Sequence, residues 1–310
     1  MSDQFMQLLF NGLIVGSIYG LIALGYTMVY GIMGLINFAH GEVVMIGGMI
    51  TISFLSMFIG AGVTMPGAVL ILCSLLLALP ICMFMGYAIE RVAYRPLRNA
   101  PRLAPLITAV GLSIVLQQVA AMVWGTNYIA FPHVIKNASR NIGGAQVTDL
   151  QIVIIIVCIV LMGSLLLLVN KTKLGRAMRA TSQRPDVAAL MGVSVNKVVS
   201  MTFIIGAALG SVAGVMQAAN YDQLHYTSGF LIGLKAFSAA VLGGIGNLGG
   251  AVAGGLILGI AESFFAGTVS SWSFGVLGSH YQDIFAFLVL VVVLIFRPSG
   301  LLGEKQADRA

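Results

Sequence analysis

Nine apolar runs, each of roughly 17–25 residues and so near the length that crosses a bilayer as a helix, punctuate this chain. They lie at 7–30, 38–58, 66–90, 105–124, 150–169, 198–219, 229–246, 249–267 and 281–297. Only 8% of the 310 residues are charged and 59% are apolar or aromatic, whereas a soluble domain carries roughly 25% charge. The polar surface needed to face water on all sides is missing. The 38 glycines suit membrane helices, where small residues let backbones approach. The pattern predicts an all-α integral membrane protein, a polytopic bundle of eight or nine transmembrane spans, in a lipid bilayer. It forms one domain over 1–310, since neither polar stretch, 125–149 or 170–197, can build a core of its own.

Thirteen of the sixteen Lys and Arg fall in three clusters beside apolar runs: Arg91, Arg95, Arg98 and Arg102; Lys171, Lys173, Arg176, Arg179, Arg184 and Lys197; Arg297, Lys305 and Arg309. That is the positive-inside pattern, and it argues against a nucleic-acid partner despite the net charge of +6. Counting spans from these clusters places the N-terminus and 125–149 outside and the tail after Phe296 inside. Trp124, Tyr128 and Trp272 then fall at outer boundaries as an aromatic belt. The first run lacks the basic start and cleavage site of a signal peptide and reads as a retained helix. Cys73, Cys82 and Cys158 sit inside apolar runs and read as small hydrophobes. The runs at 229–267 meet at Gly243-Gly244-Ile245-Gly246-Asn247-Leu248-Gly249-Gly250. That junction is either a turn between two spans or a re-entrant break.

Catalytic signatures are missing. Gly-Lys occurs nowhere, so the chain has no Walker-type phosphate loop, and it shows neither a zinc-hydrolase helix motif nor a nucleophile elbow. The expectation is a subunit that is not an enzyme and has no cofactor or metal of its own. The charged segment 171–197 contains Pro185, Asp186 and Gly192 at the positions of helix start and stop signals. These predict a short amphipathic helix over about 185–191, either resting on the lipid interface or docking on a cytoplasmic partner.

Residues 179–197, R-A-T-S-Q-R-P-D-V-A-A-L-M-G-V-S-V-N-K, resemble the coupling loop of ABC-importer permeases for branched-chain amino acids, the LivH/LivM family. The opening G-L-I-V-G-S-I-Y-G-L-I-A-L-G, N-F-A-H-G-E at 37–42, A-P-L-I-T-A-V-G-L at 104–112 and A-V-L-G-G-I-G-N-L-G-G-A-V-A-G-G at 240–255 are similar to the LivH-type subunit in the same order. The resemblance implies an importer permease with a cytoplasmic coupling loop at 171–197, in a bacterial inner membrane, moving leucine, isoleucine and valine inward. It implies as partners a homologous LivM-type second permease, two cytoplasmic ABC ATPase subunits and a periplasmic branched-chain amino acid binding protein. ATPase coupling is carried over to Arg184, Pro185, Asp186, Ala188, Ala189, Met191 and Gly192. Val187 stands where the broader importer motif has a Glu.

Ionisable and polar groups inside spans are candidates for a transport path. Asn37, His40 and Glu42 cluster at the start of the second run, where a capping role at the helix N-terminus is the alternative. Gln117, Gln118 and Glu262 lie within later runs. Glu90 reads as an inner-interface residue beside Arg91, and Lys235 as a snorkelling side chain reaching the outer boundary. Gly12, Gly16 and Gly20, like Gly206, Gly210 and Gly214, repeat every fourth residue and predict close helix packing. The competing reading of the chain is a secondary amino-acid transporter or channel independent of ATP, for which Glu262 and His40 would supply an ion site.

Overall fold

The computed structural model describes residues 2–98, 100–101, 103–135, 138–272, 281–297 and 299–303. Arg102, Lys305 and Arg309 of the expected basic clusters, and the side chain of Trp272, lie outside the described residues. In chain order the elements are α1 (Ser2–Met33), α2 (His40–Gly60), α3 (Gly67–Ala88), α4 (Leu103–Trp124), β1 (Ile129–Ala130), β2 (Ser139–Ile142), β3 (Ala145–Thr148), α5 (Asp149–Lys171), α6 (Lys173–Gln183), α7 (Pro185–Leu190), α8 (Val195–Tyr221), β4 (Gln223–Leu224), α9 (Ser228–Gly243), α10 (Leu248–Trp272) and α11 (Gln282–Phe296). Among the described residues seven helices are long and apolar enough to cross a membrane, and α9 and α11 are shorter apolar helices. At about 1.5 Å per residue, the 16 residues of α9 span about 24 Å, less than the hydrocarbon core of about 30 Å.

The chain divides into two compact units. Met1–Thr27, Ala138–Met162 and Lys235–Ala310 form the first, and Met28–Asn137 and Gly163–Leu234 the second.

In the first unit α1 and α10 run antiparallel along glycines. A Cβ added at Gly12 would come within 2.6 Å of the Ile260 Cα, and one at Gly16 within 2.9 Å of the Gly255 carbonyl oxygen. Gly255 and Gly259 return the contact, each facing α1 backbone. Where apolar burial does not drive association, this backbone approach supplies dispersion contact. At one end of the unit the antiparallel β2–β3 hairpin meets the start of α1. Gln7 Nε2 donates to the Gln146 carbonyl at 3.2 Å, and the Gln146 N–H donates to Gln7 Oε1 at 2.8 Å. At the other end Leu301 and Leu302 donate to the carbonyls of Leu242 and Gly243. The junction at 243–250 resolves as two helices joined by a tight turn, with Gly244 at φ +103° and Gly246 at φ +99°, a region L side chains rarely adopt.

In the second unit α2 and α8 run side by side as the innermost pair. A Cβ at Gly214 would fall on the Val44 carbonyl, whereas one at Gly210 would stand 3.3 Å from a Val44 methyl. Gly206 is buried on the same helix. α3 crosses α8 antiparallel, with Gly86 facing Phe203 and Ala207. The outward faces of α3 and α4 are apolar, with Leu72, Leu76, Phe84, Ile107, Val115 and Met122 exposed. Facing hydrocarbon, such exposure is the expected state of a membrane helix rather than a defect.

Three expectations need correction. The run at 66–90 does not stop before the first basic cluster: α3 continues as a π-helical turn over Ile89–Tyr94 and a 3₁₀ turn over Arg95–Leu97, so Arg91 and Arg95 are helical. The 171–197 segment carries two helices rather than one, because Thr172 caps α6, its Oγ1 accepting from the Gly175 N–H at 3.1 Å. Lys235 does not snorkel. It is buried between two carboxylates.

Candidate coupling and translocation residues

α7 is one turn and a half of helix, opened by Pro185 at its first position, where the missing N–H costs nothing. It closes at Gly192, whose φ of +84° fits the left-handed stop that favours glycine. Ala188 is buried, while Leu190 and Met191 are 87% and 80% exposed. Val187 is also exposed, and Arg184, Asp186 and Ala189 face solvent. Two large apolar side chains thus stand in the open on a short, sharply bounded helix. α6 folds back tightly beneath α5: Gly175 abuts the carbonyls of Leu168 and Val169, and the Arg179 guanidinium donates to the Val169 carbonyl, satisfying an end group of α5.

Three residues after Gly192, α8 begins, and its second turn is bracketed to the end of α3. Glu90 is fully buried and accepts from Arg95 Nη2 at 2.9 Å, Arg98 Nη2 at 2.7 Å and Ser200 Oγ at 2.8 Å. Arg98 Nη1 also donates to Asn196 Oδ1 at 2.6 Å. The π turn explains the alignment. Residues five apart diverge by roughly 140° on an α-helix, but wider winding brings Glu90 and Arg95 onto one face.

The residues at the start of α2 point three ways. Asn37 accepts from the Tyr94 hydroxyl at 2.9 Å. His40 is buried against α8, its ring 3.5 Å from where a Cβ on Gly210 would stand. Glu42 does not cap its own helix, whose N-cap residue, Ala39, comes with no side-chain capping hydrogen bond. It reaches across to α4, where Oε1 accepts from Ser113 Oγ and Gln117 Nε2, both at 2.8 Å. Glu42 is wholly buried, and among the described residues Oε2 has no hydrogen-bond partner. The α2 backbone at Gly41 lies against Gly229 and Gly233 of α9, and a Cβ on Gly229 would meet Glu42 Oε2. Gln118, one residue on from Gln117, is rotated onto the exposed side of α4.

Glu262 belongs to the first unit. Lys235 Nζ stands 2.6 Å from Glu262 Oε1 and 2.6 Å from Asp283 Oδ1, joining α9, α10 and α11, with the Tyr19 ring 5.7 Å away. The sequence reading missed Ser113, Ser200, Tyr94 and Asp283. Ser113 and Gln117, four residues apart and so on one helix face, were the one available signal among them.

The family described as branched-chain amino acid transport system, permease component, matches residues 8–294. The chain belongs to this family. It is 42% identical to the high-affinity branched-chain amino acid transport system permease protein BraD of Pseudomonas aeruginosa, over 99% of this chain and 98% of that one. It is 41% identical to the LivH permease protein of Escherichia coli K12 over the full length of both. A probable branched-chain amino acid permease of Methanocaldococcus jannaschii is 28% identical over 96% of this chain. The family is a transport component rather than an enzyme, and the chain is a multi-pass membrane permease.

Proposed function

We propose that this permease is one transmembrane half of an ABC importer that carries leucine, isoleucine and valine into the cytoplasm across a bacterial inner membrane. Its partners are a homologous LivM-type permease, two ATPase subunits and a periplasmic binding protein for branched-chain amino acids. The basic clusters face the cytoplasm, the β2–β3 hairpin faces outward, and the chain acts as a single permease domain. The observation that carries the reading is α7: Leu190 and Met191, exposed on a rigid turn between Pro185 and Gly192, supply a knob that a cleft on the ATPase can grip.

In this mechanism closure of the ATPases on ATP displaces α7. Gly192–Ser194 joins it directly to α8, and the Glu90 bracket passes the displacement from α8 to α3. Because α2 and α8 touch backbone to backbone, α2 moves with them and alternates access to the path. Such packed elements shift as bodies rather than deform. Glu262, which an ion-coupled carrier would need free, is held by Lys235, and that weakens the ATP-independent alternative.

The test is an affinity pull-down of the chain from detergent-solubilised native membranes. An ATPase should co-purify from wild type and be lost on deleting residues 184–192. Recovery of the chain alone, still moving leucine into liposomes without ATP, would sink the proposal.

A further inference from the structure

Every other buried carboxylate described above has a cation. Glu90 has two arginines and Glu262 has Lys235. Glu42 has only the neutral donors Ser113 and Gln117, both on one oxygen, and among the described residues no ion pair reaches it. A carboxylate at span depth with half its acceptor capacity unmet is costly, and where only structure is at stake a glutamine would serve.

The cost is localised. Oε2 points at the first turn of α9, where Gly229 leaves room for it, and Gly41, Gly229 and Gly233 let the α2 and α9 backbones close over it without side chains between them. If the two backbones part by a few ångströms, Oε2 is uncovered at once, with no side chain to swing aside.

We propose that Glu42 Oε2 is the point at which the permease receives the α-ammonium group of the amino acid in transit. This deepens, and rests on, the amino-acid import reading above. The chemistry fits in three respects. An ammonium brings three N–H donors and the positive charge that the site lacks. Ser113 and Gln117 fix the other oxygen, so the carboxylate is oriented before the cargo arrives. The α2 and α9 helix starts that flank the carboxylate weaken its pull on a cation, which keeps the site shallow enough to release what it binds. Closure of the Gly41–Gly229–Gly233 seam then occludes it.

The experiment uses the whole importer in liposomes, with binding protein saturated by leucine, and compares wild type with Glu42→Gln, which keeps the shape and hydrogen bonding of a neutral carboxyl. The quantity read is leucine moved per ATP hydrolysed. The expected result is a fall of about tenfold in that ratio, the scale of one lost charge-assisted contact, with ATP hydrolysis little changed. An unchanged ratio, or a parallel fall in transport and hydrolysis, would overturn the proposal, since either marks a structural role.

A second measurement needs no variant. Dicyclohexylcarbodiimide, which modifies carboxyls in apolar surroundings, should label Glu42 of the wild-type complex during ATP turnover, and leucine-loaded binding protein should slow that labelling. Labelling indifferent to leucine, or none at all, would equally overturn it. Failure of the wild-type complex to take up leucine with ATP would instead overturn the import reading itself.

Discussion

The two compact units treat buried charge differently. In the first, Lys235 stands between Glu262 and Asp283 and ties α9, α10 and α11; in the second, Glu42 is left with neutral partners and one bare oxygen. Both sites lie in apolar helices, where an ionised group is tolerated only with good partners. The difference separates a group that holds helices together from one kept ready for something else. Glu90, in the second unit, behaves like Lys235 and serves as a bracket.

Five variants can break or sharpen that comparison. The largest effect belongs to the glycine seams, which both units share. Gly214→Val in the second unit and Gly259→Val in the first each drive a side chain into facing backbone. Neither chain should survive detergent extraction as a monodisperse complex, and a normal elution profile for either would remove that unit's seam from the account.

Next comes Lys235→Met, which leaves Glu262 and Asp283 facing each other without a cation. A loss of about 3 kcal/mol is expected, seen as a lower thermal midpoint, with most of it recovered when Glu262→Gln and Asp283→Asn are added. If the single variant is as stable as wild type, the triad is not the clamp described. Glu90→Gln should cost less, about 2 kcal/mol, because both of its arginines are partly exposed to solvent. It should also lower the ATP hydrolysis that cargo stimulates, and full stimulation in this variant would detach the bracket from coupling. Smallest is Gly111→Ala on the outward side of α4, where a Cβ meets nothing within 4 Å. Stability should hold or rise by up to about 1 kcal/mol from helix propensity alone.

Much of the fold was legible because a membrane writes it in long apolar runs, and all nine expected runs have helices. Misreadings arose where a local choice turned on partners distant in the chain. Lys235 looked like an interfacial lysine because nothing near it in sequence is acidic; its carboxylates lie 27 and 48 residues away. Gln117 and Gln118 read alike, yet a rotation of about 100° between neighbours sends one to Glu42 and the other outward. Asn37, His40 and Glu42 looked like one cluster because they are close in sequence, and each finds a different helix. The α7 boundaries were readable because Pro185 and Gly192 act locally.

The α1–α10 seam also has a history in time. Gly12 and Gly16 are made some 240 residues before Gly255 and Gly259 leave the ribosome. At roughly 5–20 residues per second, α1 waits about ten seconds to a minute in the membrane before the helix shaped for it exists. During that interval its glycine groove faces helices made before α10, and the close backbone fit to Gly255 and Gly259 is what favours the later partner.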